Sequence, residues 1–169
     1  RLDSSIMGIF LKNISLKGKT ALITGATKGL GRGAAEAIAE AGGNIIAIGR
    51  NQSELNSLGK KIEKLKVQYT SFNCDVTNYN KIKNFITKLK KLDILVNNAG
   101  TNIPENFLNV KKNSLETLLN VNTKAVFNIA QLCANQIIKL KKKQGSIINV
   151  SSIFGLVAGQ KRTVYSMTK

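Results

Sequence analysis

The chain contains no histidine and no tryptophan, one proline and two cysteines among its 169 residues. Without histidine it lacks the commonest metal ligand and the commonest acid/base at neutral pH, so any proton transfer must use another group. Cys74 and Cys133 stand apart, without the C-x-x-C spacing of a metal or redox site, and read as reduced core residues of a cytoplasmic protein. No apolar run approaches the roughly 18 residues of a membrane span, and Arg1 to Asn13 lacks a signal-peptide cleavage pattern. No membrane partner is expected, and Met7 reads as a start, with Arg1 to Ile6 an upstream remnant. Acidic residues are also scarce, nine against 26 Lys and Arg, for a formal charge of +17. Such a charge, if clustered, would point to nucleic acid. The lysines are instead dispersed over successive helical segments (Lys60, Lys61, Lys64 and Lys66; Lys88, Lys90 and Lys91; Lys139 and Lys141 to Lys143) with little aromatic interleaving. They read as solvated faces, and no specific nucleic-acid partner is expected.

What the chain does have is glycine at one informative place, the stretch Thr24-Gly25-Ala26-Thr27-Lys28-Gly29-Leu30-Gly31. An apolar run, Thr20 to Ile23, precedes it, and a pattern of Ala34, Ala35, Ile38 and Ala39 at helical steps follows. That is strand, tight turn, helix. Glycine permits the turn and lets a diphosphate approach the amides at the helix N-terminus, where the helix dipole favours an anion. The competing reading is a plain strand-to-helix turn with packing glycines. The spacing Gly-x-x-x-Gly-x-Gly also departs from the commoner Gly-x-Gly-x-x-Gly dinucleotide fingerprint.

The remaining periodicity repeats the unit. A helix from about Gly29 to Ala41 ends at Gly42-Gly43, and Asn44 to Ile48 is a second apolar strand. Leu55, Leu58, Ile62 and Leu65 mark a helix from about Ser53 to Lys66, followed by a strand over Gln68 to Asn73. Thr77 or Asn78 caps a helix with the stripe Ile82, Phe85, Ile86 and Leu89, and Asp93 to Val96 is a fourth strand. The longest helix is expected over Asn113 to Lys141, and Ser146 to Val150 is a fifth strand. Strands alternating with helices predict an α/β fold: a doubly wound, Rossmann-type parallel sheet in three α/β/α layers. Residues 1–15 read as a lead and 16–169 as one domain. Ligands bind such sheets at the carboxyl ends of the strands, and here every such end, from Thr24 to Gly31 through Gly49-Arg50, Cys74 to Val76, Asn97 to Gly100 and Ser151-Ser152, is polar or contains glycine.

With these pieces in order, the chain resembles the short-chain dehydrogenase/reductase family. The resemblance rests on Thr24-Gly25-x-x-x-Gly29-x-Gly31, Asp75, Asn97-Asn98-Ala99-Gly100, Asn122, Ser152 and Tyr165-x-x-x-Lys169. It extends from about Leu16 onward. The tracts Asn97 to Pro104 and Gly159 to Tyr165 look most like 3-oxoacyl-acyl-carrier-protein reductases and gluconate or deoxygluconate dehydrogenases. The resemblance implies an oxidoreductase in which Tyr165 is the acid/base of hydride transfer between a nicotinamide cofactor and a carbonyl or secondary alcohol. It implies that Ser152 donates to the substrate oxygen, that Lys169 holds the nicotinamide ribose, and that Asn122 anchors a water relaying protons to Lys169. The Tyr-x-x-x-Lys spacing also has a physical reason, because a cation one helical turn away stabilises a phenolate.

The same resemblance assigns the cofactor to Gly25, Thr27, Lys28, Gly29, Leu30 and Gly31, with Asp75 and Val76 beside the adenine and Asn98, Ala99 and Gly100 beside the adenosine ribose. An acidic residue at the end of the second strand would select NAD(H). Here Gly49 and Arg50 stand there, and Lys28 adds a second cation, so NADP(H) is favoured and NAD(H) is possible. The substrate is expected to be a small-molecule or acyl-carrier-bound carbonyl, a 3-oxoacyl thioester or a sugar acid. The parent enzyme is expected to be a homo-oligomer. Members of the family normally continue beyond the Tyr-Lys helix, so the C-terminal strands are missing here and the fifth strand should be an open edge. The 169-residue polypeptide alone is therefore expected to show little turnover. The alternative is a catalytically silent nucleotide-binding fragment of such an enzyme.

Overall fold

In a computed structural model of the chain, which describes residues 15–142 and 144–169, five strands form one parallel sheet in the order β3-β2-β1-β4-β5. The strands are β1 (Thr20–Thr24), β2 (Asn44–Gly49), β3 (Tyr69–Asn73), β4 (Ile94–Asn97) and β5 (Ser146–Asn149). The helices are α1 (Gly29–Glu40), α2 (Gln52–Glu63), α3 (Tyr79–Ile86), α4 (Lys112–Leu119), α5 (Ala125–Lys139) and the short α6 (Thr163–Thr168). This is the Rossmann-like α/β arrangement expected from the periodicity. The lead proposed for residues 1–15, the reading of Met7 as a start and the signal-peptide reading lie outside the described residues, apart from Ser15.

Alternation along the strands explains the layers. Leu22 of β1, Ile46 and Ile48 of β2 and Leu95 of β4 face α3 and α5, where they pack on Ile82, Ile86, Ile129 and Cys133. The intervening residues Ala21, Ile23, Ile45, Ala47 and Val96 face α1 and α2, against Ala35, Ala39, Leu55, Leu58 and Ile62. A strand buried on both faces must be apolar throughout, which is why β1 and β2 read as continuous runs. Each fully buried Leu or Ile contributes about 1.5–3 kcal/mol. At the opposite end from the glycine turn, buried Asp93 draws three strands together. Its Oδ2 accepts from the Thr20 amide at 2.9 Å, its carbonyl accepts from Ser146, and its Oδ1 lies 3.0 Å from Lys142 Nζ.

Several element ends lie one to three residues from those read from the periodicity, and two helices differ further. The helix expected over Asn113 to Lys141 is α4 and α5 joined by a π-helical turn, Asn120–Lys124. The α3 helix stops at Ile86 although Leu89 continues its stripe, because Leu89 packs on the same core from the turn that follows. The β5 strand is the outer strand on its side, with all four residues exposed. Both cysteines are free and buried, as expected.

Burial pushes the Cys133 thiol up to about 12. The Tyr69 phenol also rises to about 12, through burial and Glu63 against the opposing Arg32 charge; it donates to the Leu55 carbonyl at 2.7 Å. In the unfolded chain these protons leave near pH 8.5 and 10 respectively. Their stabilisation is therefore complete below about pH 8.5 and declines as pH rises toward the folded values. The melting temperature is expected to fall from about pH 8.5 to 11, and Tyr69→Phe to make the decline above about pH 10 shallower. Parallel declines for the two proteins above pH 10 would contradict this assignment.

Candidate active site

The sheet reverses its winding between β1 and β4, and the chain leaves both strands there at their carboxyl ends. Loops that diverge at such a point leave a crevice. A cavity of about 510 Å³ lies there. Its walls are Gly25, Thr27, Lys28 and Leu30 from the glycine turn, Gly49 to Asn51 after β2, and Cys74 to Val76 after β3. Asn98 to Thr101 after β4, with Glu54, Thr117 and Val121 from the helices, complete it. Ten of the residues expected to hold the cofactor line this cavity; Gly29, Gly31, Tyr165 and Lys169 are not among its lining residues.

The glycine turn is shaped by its close approach to β4. Gly25 and Gly29 have φ of +62° and +55°, the left-handed region. A Cβ on Gly31 would lie 2.3 Å from both Asn98 Nδ2 and the Gly25 carbonyl oxygen. The Asn98 amide fills that space and donates to the Thr24 and Gly25 carbonyls, each at 3.1 Å. Thr24 Oγ1 in turn accepts from the Asn98 and Ala99 amides at 3.0 Å. The Asn98 side chain is therefore a clamp on the turn. Gly49 has a local reason too, since its Cβ would meet Thr27 Cγ2 at 2.5 Å.

Helix α1 starts without a side-chain cap and without an acidic residue in its first turn. In contrast, α2 and α3 are capped by Asn51 and Asn78. The amides of the α1 first turn are thus left to a ligand or solvent, and the dipole makes an anion the favoured ligand. Arg50 does not stand as a cation remote from any carboxylate. Its Nη1 lies 3.5 Å from Asp75 Oδ2, and Glu54 lines the same cavity. Burial pushes the Asp75 carboxyl up, but the Thr77 hydroxyl and amide, together with Arg50, hold it below the usual carboxylate range.

Asn122 is buried on the π-helical turn, a type of irregularity frequent at functional sites. Its Oδ1 accepts from the Thr101 amide at 2.9 Å, and its Nδ2 donates to the Thr101 carbonyl at 2.9 Å and to Thr168 Oγ1 at 3.0 Å. Both amide donors are taken, so the side chain has none left for a water. Thr168 Oγ1 donates onward to the Tyr165 carbonyl at 2.9 Å. Lys169 Nζ donates to the Val150 carbonyl, and lies 3.6 Å from where a Cβ on Gly100 would stand. Ser152 and Tyr165, both half-buried, meet through Phe154. Ser152 Oγ accepts from the Phe154 amide at 3.2 Å, and the Phe154 and Tyr165 rings are edge-to-face at 6.4 Å. Asn122 and Lys169 thus stand beside Gly100, which lines the cavity, with Tyr165 on α6 and Ser152 after β5 nearby.

Sequence reasoning placed Thr24 in the glycine turn without giving its side chain a role, and missed Thr101, Thr168 and Phe154. A small hydroxyl residue beside a strand end gives no distinguishing pattern. A second recess of about 580 Å³ lies between α1 and α2, lined by Arg32, Lys60, Lys61, Lys64 and three short polar residues. It has no apolar side chain to receive a nucleobase or nicotinamide ring.

A family model described as short chain dehydrogenase matches residues 19–169. The chain is 34% identical over 158 residues to a 3-oxoacyl-acyl-carrier-protein reductase of Thermotoga maritima, covering 91% of this chain and 63% of that protein. It is 35% identical over 166 residues to a 2-dehydro-3-deoxy-D-gluconate 5-dehydrogenase of Bacillus subtilis, covering 96% and 64%. A short-chain type dehydrogenase/reductase from Mycobacterium marinum superposes with a TM-score of 0.87 at 28% identity, over 94% of this chain and 67% of that one. The chain thus spans about 63% of the length of the first of these curated relatives.

Gly31→Ala is expected to destabilise the fold by about 1–3 kcal/mol, because backbone and the Asn98 amide must move. Gly33→Ala, with nothing within 4 Å of its new methyl, is expected to stabilise α1, by about 0.5–1 kcal/mol. Denaturant melts of the two variants check this; equal effects would refute the clamp.

Proposed function

The chain belongs to the short-chain dehydrogenase family, and from that premise we propose that the protein reduces a carbonyl, or oxidises the corresponding alcohol, with NADP(H). The observation that carries this reading is a cavity running from the uncapped α1 N-terminus to Gly100, beside which Lys169 and Asn122 stand. The group fits the residues present. Gly25 and Gly29 leave backbone accessible where a diphosphate needs close approach, and the free amides of α1 supply its donors. Lys28 and Arg50 offer cations to a 2′-phosphate, which is the basis for preferring NADP(H) over NAD(H). Val76 and Ala99 supply apolar surface for the adenosine.

When bound, the nicotinamide supplies or accepts the hydride. The chain's own residues do the rest. Ser152 Oγ already accepts from the Phe154 amide, so its own proton is free to donate to the substrate oxygen and to oppose charge developing there. Tyr165 gives its hydroxyl proton to that oxygen in reduction and takes it back in oxidation. The Lys169 ammonium stabilises the phenolate left behind, and its bond to the Val150 carbonyl fixes its position. Asn122 acts by holding Thr101 and Thr168, and through them the loop after β4 and α6. A 3-oxoacyl thioester or a sugar acid is the substrate class suggested by the relatives.

Tyr165→Phe is expected to lower carbonyl reduction by about 10²–10⁴-fold with the NADPH dissociation constant nearly unchanged. Arg50→Ala is expected to weaken NADPH binding by about tenfold, as loss of a charge-assisted contact would, and to leave NADH binding within twofold. Fluorescence titration measures both constants. Undiminished turnover by Tyr165→Phe would overturn the catalytic assignment, and equal loss of NADPH and NADH would overturn the 2′-phosphate assignment.

A further inference from the structure

Residues 152–165 connect the two groups assigned to the substrate oxygen, and one side chain lies between them. The short 3₁₀ turn Ile153–Gly155 follows Ser152, whose hydroxyl caps it by accepting from the Phe154 amide at 3.2 Å. The Phe154 ring then turns toward α6 and meets the Tyr165 ring edge-on, with centroids 6.4 Å apart and planes at 71°. That geometry is the favourable one for two aromatic quadrupoles.

The loop before α6 is folded around the same ring. The Arg162 amide donates to the Gly159 carbonyl at 3.1 Å, closing a turn in which Lys161 adopts φ of +56°. A non-glycine residue in that region is strained, and the surrounding structure must hold it there. The Glu105 amide does so in part, donating to the Lys161 carbonyl at 3.1 Å. The turn sets the Arg162 guanidinium 5.6 Å from the centre of the Phe154 ring. On its other limb, a Cβ on Gly159 would lie 2.5 Å from Phe154 Cε1. The ring is thus bracketed by Gly159, Arg162 and Tyr165, while its backbone holds Ser152.

We propose that Phe154 is a positioning residue for the reaction, setting the Ser152 hydroxyl through its amide and the Tyr165 ring through its own ring. The inference rests on the assignment of Ser152 and Tyr165 to the substrate oxygen. Both must address the same atom at once, and a displacement of about 1 Å in such a pair can cost on the order of 10²-fold in rate. Phe154 touches neither substrate nor cofactor in this role. Its contribution falls on kcat, since it aligns groups whose interaction grows toward the transition state. Arg162 and Gly159 act one step further out, by holding the ring.

The test uses the wild-type protein and four variants: Phe154→Ala, Phe154→Leu, Phe154→Tyr and Gly159→Ala. Phe154→Ala is expected to lower kcat by roughly 10- to 100-fold, with KM for the ketone and the NADPH dissociation constant within about threefold of wild type. Phe154→Leu keeps apolar volume without the aromatic edge and guards against a simple folding defect; it should fall between the two. Phe154→Tyr restores the edge and should restore kcat to within about threefold. Gly159→Ala pushes the intact ring away and should lower kcat in the same direction as Phe154→Ala. A readout independent of turnover is the tyrosine ring NMR signal that Tyr165→Phe removes. It should move toward its random-coil position in Phe154→Ala and stay in Phe154→Tyr. An active wild type whose kcat is unaffected by Phe154→Ala, or a variant losing NADPH affinity in proportion to kcat, would overturn the positioning role alone. A wild type that binds NADPH yet reduces no ketone would sink the underlying catalytic assignment, and this inference with it.

Discussion

The site depends on the bond pattern between Asn98 and the glycine turn. The Asn98 amide fits beneath α1 only because Gly31 carries no side chain, and it closes the gap between the end of β1 and the end of β4. Thr24 completes the joint by accepting two amides from the other strand. From that fixed point the two loops diverge, and the cavity is the space between them. The anion-seeking end of α1 faces it because the same glycines let the backbone turn sharply enough to start the helix there. Binding surface and strand pairing are therefore set by one group of contacts, and a residue that loosens one loosens the other.

A second joint carries the cavity toward the expected chemistry. The long helix does not run regularly past the site. Its π turn presents Asn122 inward, where the amide grips Thr101 on the loop after β4 and Thr168 on α6. The loop after β4 thereby becomes common to both halves, with Asn98 tied to the glycine turn and Thr101 tied to the Tyr-Lys segment. Lys169, anchored on the carbonyl after β5, stands beside Gly100 of the same loop. Three segments far apart in sequence converge because each leaves its strand at the same end of a parallel sheet.

Much of this was legible in the sequence because it follows from period and burial. Continuous apolar runs at Thr20 to Ile23 and Asn44 to Ile48 can be satisfied only by strands covered on both faces, and they are the central β1 and β2. The glycine spacing identified the turn, and the strand ends identified the cavity walls. What escaped depends on contacts between distant residues. The π turn left no trace because Leu118, Asn122, Ala125 and Ile129 keep a helical stripe whether or not one turn is widened. Arg50 read as a cation without a carboxylate because Asp75 becomes its neighbour only through the pairing of Gly49 with Asn73. Phe154 gave no signal in the sequence because what sets it apart is the Tyr165 ring it meets on α6.

The most direct test of the account is to follow backbone amide NMR shifts of the chain while NADPH is added. Saturable changes should appear at Gly25 to Gly31, Arg50, Asp75 and Asn98 to Thr101, with the largest at the α1 N-terminus. Changes confined to the basic recess between α1 and α2, around Arg32, Lys60 and Lys64, would show that the nucleotide is held by surface charge alone and would contradict the account.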